Sequence, residues 1–295
     1  MKGLVLINAY PCAQKFLRQG ESIAMALTRR GVKTDVLKNG EICASIALDG
    51  QICAQLPQKY DFIVYLDKDK YLGKMLEGAG FRLFNSAQAV ETCDDKMSTY
   101  LALQNAKIPL IESIPAPLCY TQNAKADENF LKIVAEQLSF PLVAKKSYGS
   151  FGAGVRLVEN MQKLIETENE FLYSPHFYQR YIKEACGRDV RVIVIGGKAV
   201  AAMERKAQKG EFRSNIELGG IGKKISLSKE SQEIAERTAK ALQLDYCGID
   251  LLESKQGAVV CEVNSNAFFE GIKAATGVDI ADKYAEYICI QMKKL

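Results

Sequence analysis

A single histidine, His176, serves the whole 295-residue chain. One imidazole excludes a multi-histidine metal centre. A histidine-activated nucleophile would also have to rest on His176 alone, in the segment SPHFYQ. No C-x-x-C pair occurs among the nine cysteines, an odd number. Zinc and disulfide frameworks use paired spacings, so these residues are expected to be reduced thiols in a cytoplasmic protein. No apolar run is long enough to span a bilayer, and the start, MKGLVLINAYPCAQ, lacks the long apolar core and cleavage site of a signal peptide. The formal net charge is only +4, which requires neither nucleic acid nor a membrane as partner. No G-x-G-x-x-G follows the first apolar stretch, so a dinucleotide site of the Rossmann kind is not indicated. Any metal must be held by oxygen ligands.

What is present is a rhythm of short strands and amphipathic helices. Leu4–Ile7 reads as a strand, Gln19–Arg30 as a helix ending at Gly31, and Lys33–Leu37 and Phe62–Leu66 as further strands. This pattern predicts a small α/β lobe over residues 1–93. Thr92–Ala106 reads as one helix, the stretch IPLIESIPAP breaks regular structure, and Phe130–Leu138 is helical again. Strands follow at Val190–Ile195, Ala199–Glu204 and Gly248–Glu253.

Three groups of residues carry chemistry. The first is the loop KKSYGSFGAGV, with Gly149, Ser150, Gly152 and Gly154 between two strands. Glycine lets backbone N–H groups approach phosphate oxygens. The loop lacks the Gly-Lys-Ser/Thr ending of a Walker motif, and an ordinary flexible turn has the same composition. Of the adjacent Lys145 and Lys146, one faces the loop's ligand and the other faces away. The second group is Asp250, Glu262 and Asn264. With a hairpin loop of Lys255–Gln256–Gly257, Ser254 pairs with Ala258 and Asp250 lies opposite Glu262, so all three oxygen-bearing side chains share one face. Magnesium takes such ligands, completed by water and phosphate; a solvated polar face is the alternative. The third group is basic: Arg191, Arg205 and Arg213, accompanied by Asn215. Guanidinium forks grip phosphate and carboxylate bidentately, and their number suggests an acidic substrate.

The order of these motifs resembles the ATP-grasp superfamily, and specifically its RimK-like branch of amino-acid ligases, which includes the ribosomal-protein glutamate ligases. The matching segments are DDKMSTYLALQ, PLVAKKSYGSFGAGV, QRYIKEACGRDVRVIVIGGKAVAAMERKA, EFRSNIELGG, CGIDLLE and CEVNSNAFFEGIKAATGVDIADKYAEYI. The resemblance implies an α/β fold of three lobes: an N-terminal lobe over 1–93, a central lid lobe over 94–180 and a C-terminal mixed-sheet lobe over 181–295. It implies that Lys96 and Lys145 contact ATP phosphates, that Gln179, Arg180, Tyr181 and Ile182 form the hinge meeting adenine, and that Asp189 binds the ribose. Asp250, Glu262 and Asn264 would hold two magnesium ions, with manganese able to replace them. Arg191, Arg205, Arg213 and Asn215 would face the reacting phosphate and carboxylate. The implied activity is ATP-dependent joining of a carboxylate to an amine through an acyl phosphate, with an acidic small molecule or peptide and an amino acid as substrates. A phosphotransferase and a non-catalytic nucleotide-binding regulator are the alternatives, and self-association is open. One departure is local: Ser265-Asn266-Ala267-Phe268-Phe269 stands where glutamate ligases usually carry Ser-Pro-Gly or similar, so a different acceptor pocket is expected there.

Overall fold

A computed structural model describes residues 1–10, 14–214 and 219–294. The chain first forms β1 (Lys2–Ile7), α1 (Gln14–Arg29), β2 (Lys33–Lys38), a small hairpin of β3 (Cys43–Ile46) and β4 (Ile52–Gln55), β5 (Phe62–Leu66), α2 (Lys70–Gly78), β6 (Leu83–Phe84) and α3 (Ala87–Asp94). The strands β2-β1-β5-β6 make a parallel sheet. The run Leu4–Ile7 is fully buried, as a strand covered on both faces should be.

Next come α4 (Lys96–Leu103), β7 (Ser113–Pro115), α5 (Glu128–Leu138), β8 (Leu142–Lys146), β9 (Val155–Val158), α6 (Met161–Phe171) and β10 (His176–Arg180). Their sheet, β7-β10-β8-β9, is antiparallel. The last stretch holds β11 (Arg188–Ile195), β12 (Lys198–Lys206), β13 (Ile221–Lys224), α7 (Lys229–Ala241), β14 (Tyr246–Ser254), β15 (Gly257–Asn264), α8 (Glu270–Thr276) and α9 (Ile280–Met292). Its sheet runs β13-β12-β11-β14-β15 with antiparallel ladders, and a single parallel bridge joins Leu110 to Val260. Among the described residues, no helix is long and apolar enough to cross a membrane.

Helix starts follow local capping chemistry. The side chains of Asp69, Ser86, Asp95, Asp127, Asn160, Ser228 and Asp279 each accept from backbone N–H groups of the first turn they precede. Asp95 also corrects one expectation. The helix read over Thr92–Ala106 is broken there: Asp95 is extended (φ −97°, ψ 112°), and its carboxylate caps Met97 and Ser98. A short 3₁₀ turn, Gln104–Ala106, then ends the segment.

The cores cross the sheets. One joins α1 and the parallel sheet to α8 and α9 through Val5, Phe62, Phe84, Tyr246, Phe269 and Tyr284. Another joins Leu103 and Ile108 to β11, β14, β15 and α7. This shared packing places the carboxyl ends of β1 and β5 beside β15 and the loop after it.

Candidate active site

The hairpin β14–β15 places the three oxygen ligands together, by a route that differs in detail from the expected one. The turn contains two residues, Lys255 and Gln256, so Ser254 pairs with Gly257 and Leu251 with Val260. A bulge then leaves Cys261 unpaired, and Asp250 falls opposite Glu262, with Gly248 opposite Asn264. The shorter turn and the extra residue cancel. Gly248 has no side chain because there is no room: a Cβ there would stand 2.5 Å from that of Ala267 and 3.2 Å from Cδ of Arg191.

Asp250 is buried and holds the arginines in place. Arg191 grips both of its oxygens through Nε and Nη2, the latter at 2.7 Å, and Arg205 Nη2 reaches Oδ2 at 2.8 Å. Arg205 also makes a fork with Asp189, at 2.7 and 2.5 Å. Burial pushes the Asp250 carboxyl up, but the two guanidinium groups outweigh it and hold its pKa below the ordinary carboxylate range. Asp189 goes the other way: burial and the nearby Asp250 charge raise it against the pull of Arg205. Arg213 binds Glu211, whose pKa it holds down to about 2, and donates to the Gly152 carbonyl at 2.8 Å. The arginine surplus suggested by the sequence is therefore already engaged by internal acids. Asn215 lies outside the described residues.

Glu262 and Asn264 are less committed. Glu262 has Lys96 Nζ 3.7 Å away and is partly exposed. Asn264 Nδ2 is buried and has no hydrogen-bond partner among the described residues. Among the described residues no three Cys, His, Asp or Glu side chains gather closely enough to cage an ion. Magnesium is usually held by one or two carboxylates and completed by phosphate oxygens and water, so it does not require such a cluster.

The glycine-rich loop is the turn between β8 and β9, paired from Lys145–Val155 outward. Gly149 sits at φ +125° and Gly152 at +72°, conformations that L side chains resist. Lys146 N–H donates to the Gly154 carbonyl at 2.9 Å and closes the loop's base. Lys145 turns towards β15, with Nζ 3.5 Å from Cys261 Sγ, while Lys146 lies over the Phe171 ring. Lys96 Nζ donates to the Gly149 carbonyl at 2.9 Å, and Lys68 Nζ stands 3.4 Å from Ser150 Oγ. At the end of β10, Gln179 binds the Tyr100 and Ser113 hydroxyls, each at 3.0 Å. The Arg180 guanidinium is spent on Glu112 and the carbonyls of Gln137 and Leu138, and Tyr181 and Ile182 follow beside the loop.

Two cavities meet here. A smaller one, about 120 Å³, lies beneath the loop and is lined by Lys145, Tyr181, Ile182, Asp189, Leu252 and Cys261 among others. A larger one, about 480 Å³, opens towards the N-terminal sheet. Lys96, Gly149, Ser150, Arg205 and Glu262 line both.

The N-terminal wall was not legible as a site in the sequence. Asn8 and Asp67 follow β1 and β5. Asp67 is buried and accepts from Asn8 Nδ2 at 3.1 Å, Asn39 Nδ2 at 2.6 Å and Lys68 N–H at 2.6 Å. Asn266 donates to its carbonyl at 3.0 Å. Polar residues at the carboxyl ends of parallel strands were the available signal. Phe268 and Phe269, adjacent in sequence, divide: Phe269 is buried in the core, whereas Phe268 lines the larger cavity.

A model of the RimK-like ATP-grasp domain matches residues 93–288. The chain belongs to the RimK-like ATP-grasp family. Beta-citrylglutamate synthase B of Homo sapiens is 36% identical over 228 residues, covering 76% of this chain and 57% of that protein. This chain thus spans little more than half the length of that relative. A probable alpha-L-glutamate ligase of Thioalkalivibrio sulfidiphilus (strain HL-EbGR7) is 35% identical over 217 residues, covering 73% of this chain and 69% of the relative. The fold is that of the ATP-grasp ligase PsnB, solved with a variant of its minimal precursor, magnesium and ADP (TM-score 0.71, 19% identity, 98% of each chain). The α/β architecture expected from the family's motifs is therefore the one observed.

Proposed function

We propose that this chain is an ATP-dependent carboxylate–amine ligase that joins an acid to an amino acid, with glutamate as one partner. The observation that carries this reading is the junction of the two cavities. A small pocket under a glycine-rich hairpin opens into a larger one at Lys96, Arg205 and Glu262. Two co-substrates seated on either side would meet at a cation, a buried ion-pair network and a carboxylate.

In the smaller cavity, the loop's N–H groups and Lys96 and Lys145 cradle the phosphates of ATP, and the hinge backbone at Gln179–Ile182 meets the base. Asp189 lies on the ribose side. Asp250, Glu262 and Asn264 would hold magnesium; two ions, or manganese in their place, are the family expectation. The ion supplies charge neutralisation across the phosphates. The acid's carboxylate oxygen attacks the γ-phosphorus and the bond to ADP breaks. The amine nitrogen then attacks the acyl carbon, the carbon–oxygen bond to phosphate breaks, and a proton leaves the nitrogen. Arg205 and Lys96 offset the charge that builds up at the junction.

The relatives' names supply the glutamate partner. The case for an acidic substrate rests on them, because the arginines are internally engaged and the cavity's lysines have partners too: Lys68 Nζ meets Asp94 at 2.6 Å and Lys96 Nζ the Gly149 carbonyl at 2.9 Å. The reading places the enzyme in the cytoplasm and needs neither nucleic acid nor membrane. The test is a screen for ADP release in which L-glutamate is paired with citrate, N-acetyl-L-aspartate or glutamyl peptides. Release that requires both acid and amine, with an amide product, supports a ligase. Release without any amine supports a phosphotransferase, and no release with any pair supports a regulator.

A further inference from the structure

The tip of the glycine-rich loop carries one bulky apolar residue, Phe151. Its neighbours Tyr148, Gly152, Ala153 and Gly154 line the smaller cavity, but Phe151 lines only the larger one. Its ring stacks on Phe268 from the loop after β15 (centroids 6.1 Å apart, planes 29° apart). Phe268 in turn meets Phe16 of α1 edge-on at 4.9 Å. The Lys15 ammonium stands 3.8 Å from the Phe151 centroid and 4.7 Å from that of Phe268. Residues from the N-terminal segment, the loop and the C-terminal segment thus converge on one rim of the larger cavity.

The backbone beneath this contact is costly. Phe151 is held at φ +59°, between two glycines that also have positive φ. A glycine would occupy that position without strain, whereas a bulky residue is strained there. What the side chain gains there is contact across the cavity mouth, where aromatic pairs and a cation over a ring face each contribute.

We propose that Phe151 is a specificity-determining residue for the acid–amine cavity, carried on the nucleotide lid. When its ring docks against Phe268, which Phe16 backs edge-on, it narrows the mouth of the larger cavity and sets which acid and amine fit there. The inference rests on the ligase reading for its substrates, but not for the docking contact itself.

The chain has no tryptophan, so Phe151→Trp introduces a sole, selectively excited reporter. With Mg·AMP-PNP present, its emission is expected to be blue-shifted and poorly quenched by acrylamide. Both signatures should be lost when Phe16→Ala and Phe268→Ala are added. Solvent-like emission in both backgrounds overturns the docking, and with it the proposal, whether or not any acid–amine pair turns over. Phe151→Ala separates the cavities: the Kd of Mg·AMP-PNP should stay within about twofold. KM for the acid or amine should rise about tenfold or more, and Phe151→Tyr should restore it. The pair used is whichever of L-glutamate with citrate, N-acetyl-L-aspartate or glutamyl-glutamate turns over. An unchanged KM, or a nucleotide Kd that weakens in parallel with it, overturns the assignment. Absence of an amide from the wild type with every pair counts against the ligase reading, while the tryptophan signal still decides whether Phe151 docks.

Discussion

Arg205→Met removes the cation at the centre of the site while keeping an apolar stem of similar length. Arg205 is 3% exposed and bridges Asp189 and Asp250. Asp250 retains Arg191, so Asp189 suffers most: its side chain is only about 10% exposed and is left with the Ser214 hydroxyl. Stripping the partner from a buried charge costs roughly 3–5 kcal/mol. At about 2 °C per kcal/mol for a chain of this size, the melting midpoint should fall by roughly 6–10 °C at neutral pH. The pH dependence follows from the direction of the shift. Asp189 already has a pKa raised by burial and by Asp250, and losing Arg205 removes what restrains it. A folded pKa above the unfolded one means that the folded state binds more protons between the two values, so stability falls as pH rises through that window. Below the unfolded carboxylate value, about 3.9, the group is protonated in both states and its share of the deficit disappears. Melts followed by circular dichroism at pH 4.5 and 7.5 should therefore show a wild-type-to-variant gap that narrows in acid. A gap of equal size at both pH values, or no loss of stability, would refute the role of Arg205 as the counter-ion of Asp189 and Asp250.

Glu262→Gln should nearly abolish turnover and raise the magnesium concentration needed for half-activity while leaving the melt unchanged, because the carboxylate is partly exposed and its ion pair with Lys96 spans 3.7 Å; wild-type magnesium dependence would remove Glu262 from the site. Phe269→Leu should cost about 1–2 kcal/mol in a denaturant titration, since Phe269 is packed in the core. Phe268→Gly should leave the melt in place and change amine preference in the screen. Gly248→Ala should lower both stability, by about 1–3 kcal/mol, and activity, because its Cβ would force Ala267 and Arg191 apart.

The parts of the site that lie on regular strands could be read from the sequence. The period of two places Asp250 and Glu262 on one face whether the turn has two residues with a bulge or three without. The bulge at Cys261 itself has no sequence signal, because a bulge is decided by what packs against the strand. The break at Asp95 was obscured by continuous helical periodicity; it depends on the Lys96 N–H bonding to the Ser147 carbonyl at 3.0 Å, a long-range contact. The same limit explains the arginines. Sequence periodicity shows that Asp189 and Arg191 share a face of β11, but not that Arg205 and Arg191 converge on one carboxylate from two other strands of the sheet. The N-terminal wall was hidden most completely. Asn8 and Asp67 are 59 residues apart, and only the parallel pairing of β1 with β5 brings them together.

Activation of the carboxylate by phosphoryl transfer before the amine attacks is tested most directly by labelling the carboxylate of the acid with oxygen-18 and following the label through a single turnover with ATP and L-glutamate. One labelled oxygen should appear in the released inorganic phosphate for each amide formed, detected by the isotope shift of its phosphorus-31 resonance. Amide formation with all of the released phosphate unlabelled would contradict it.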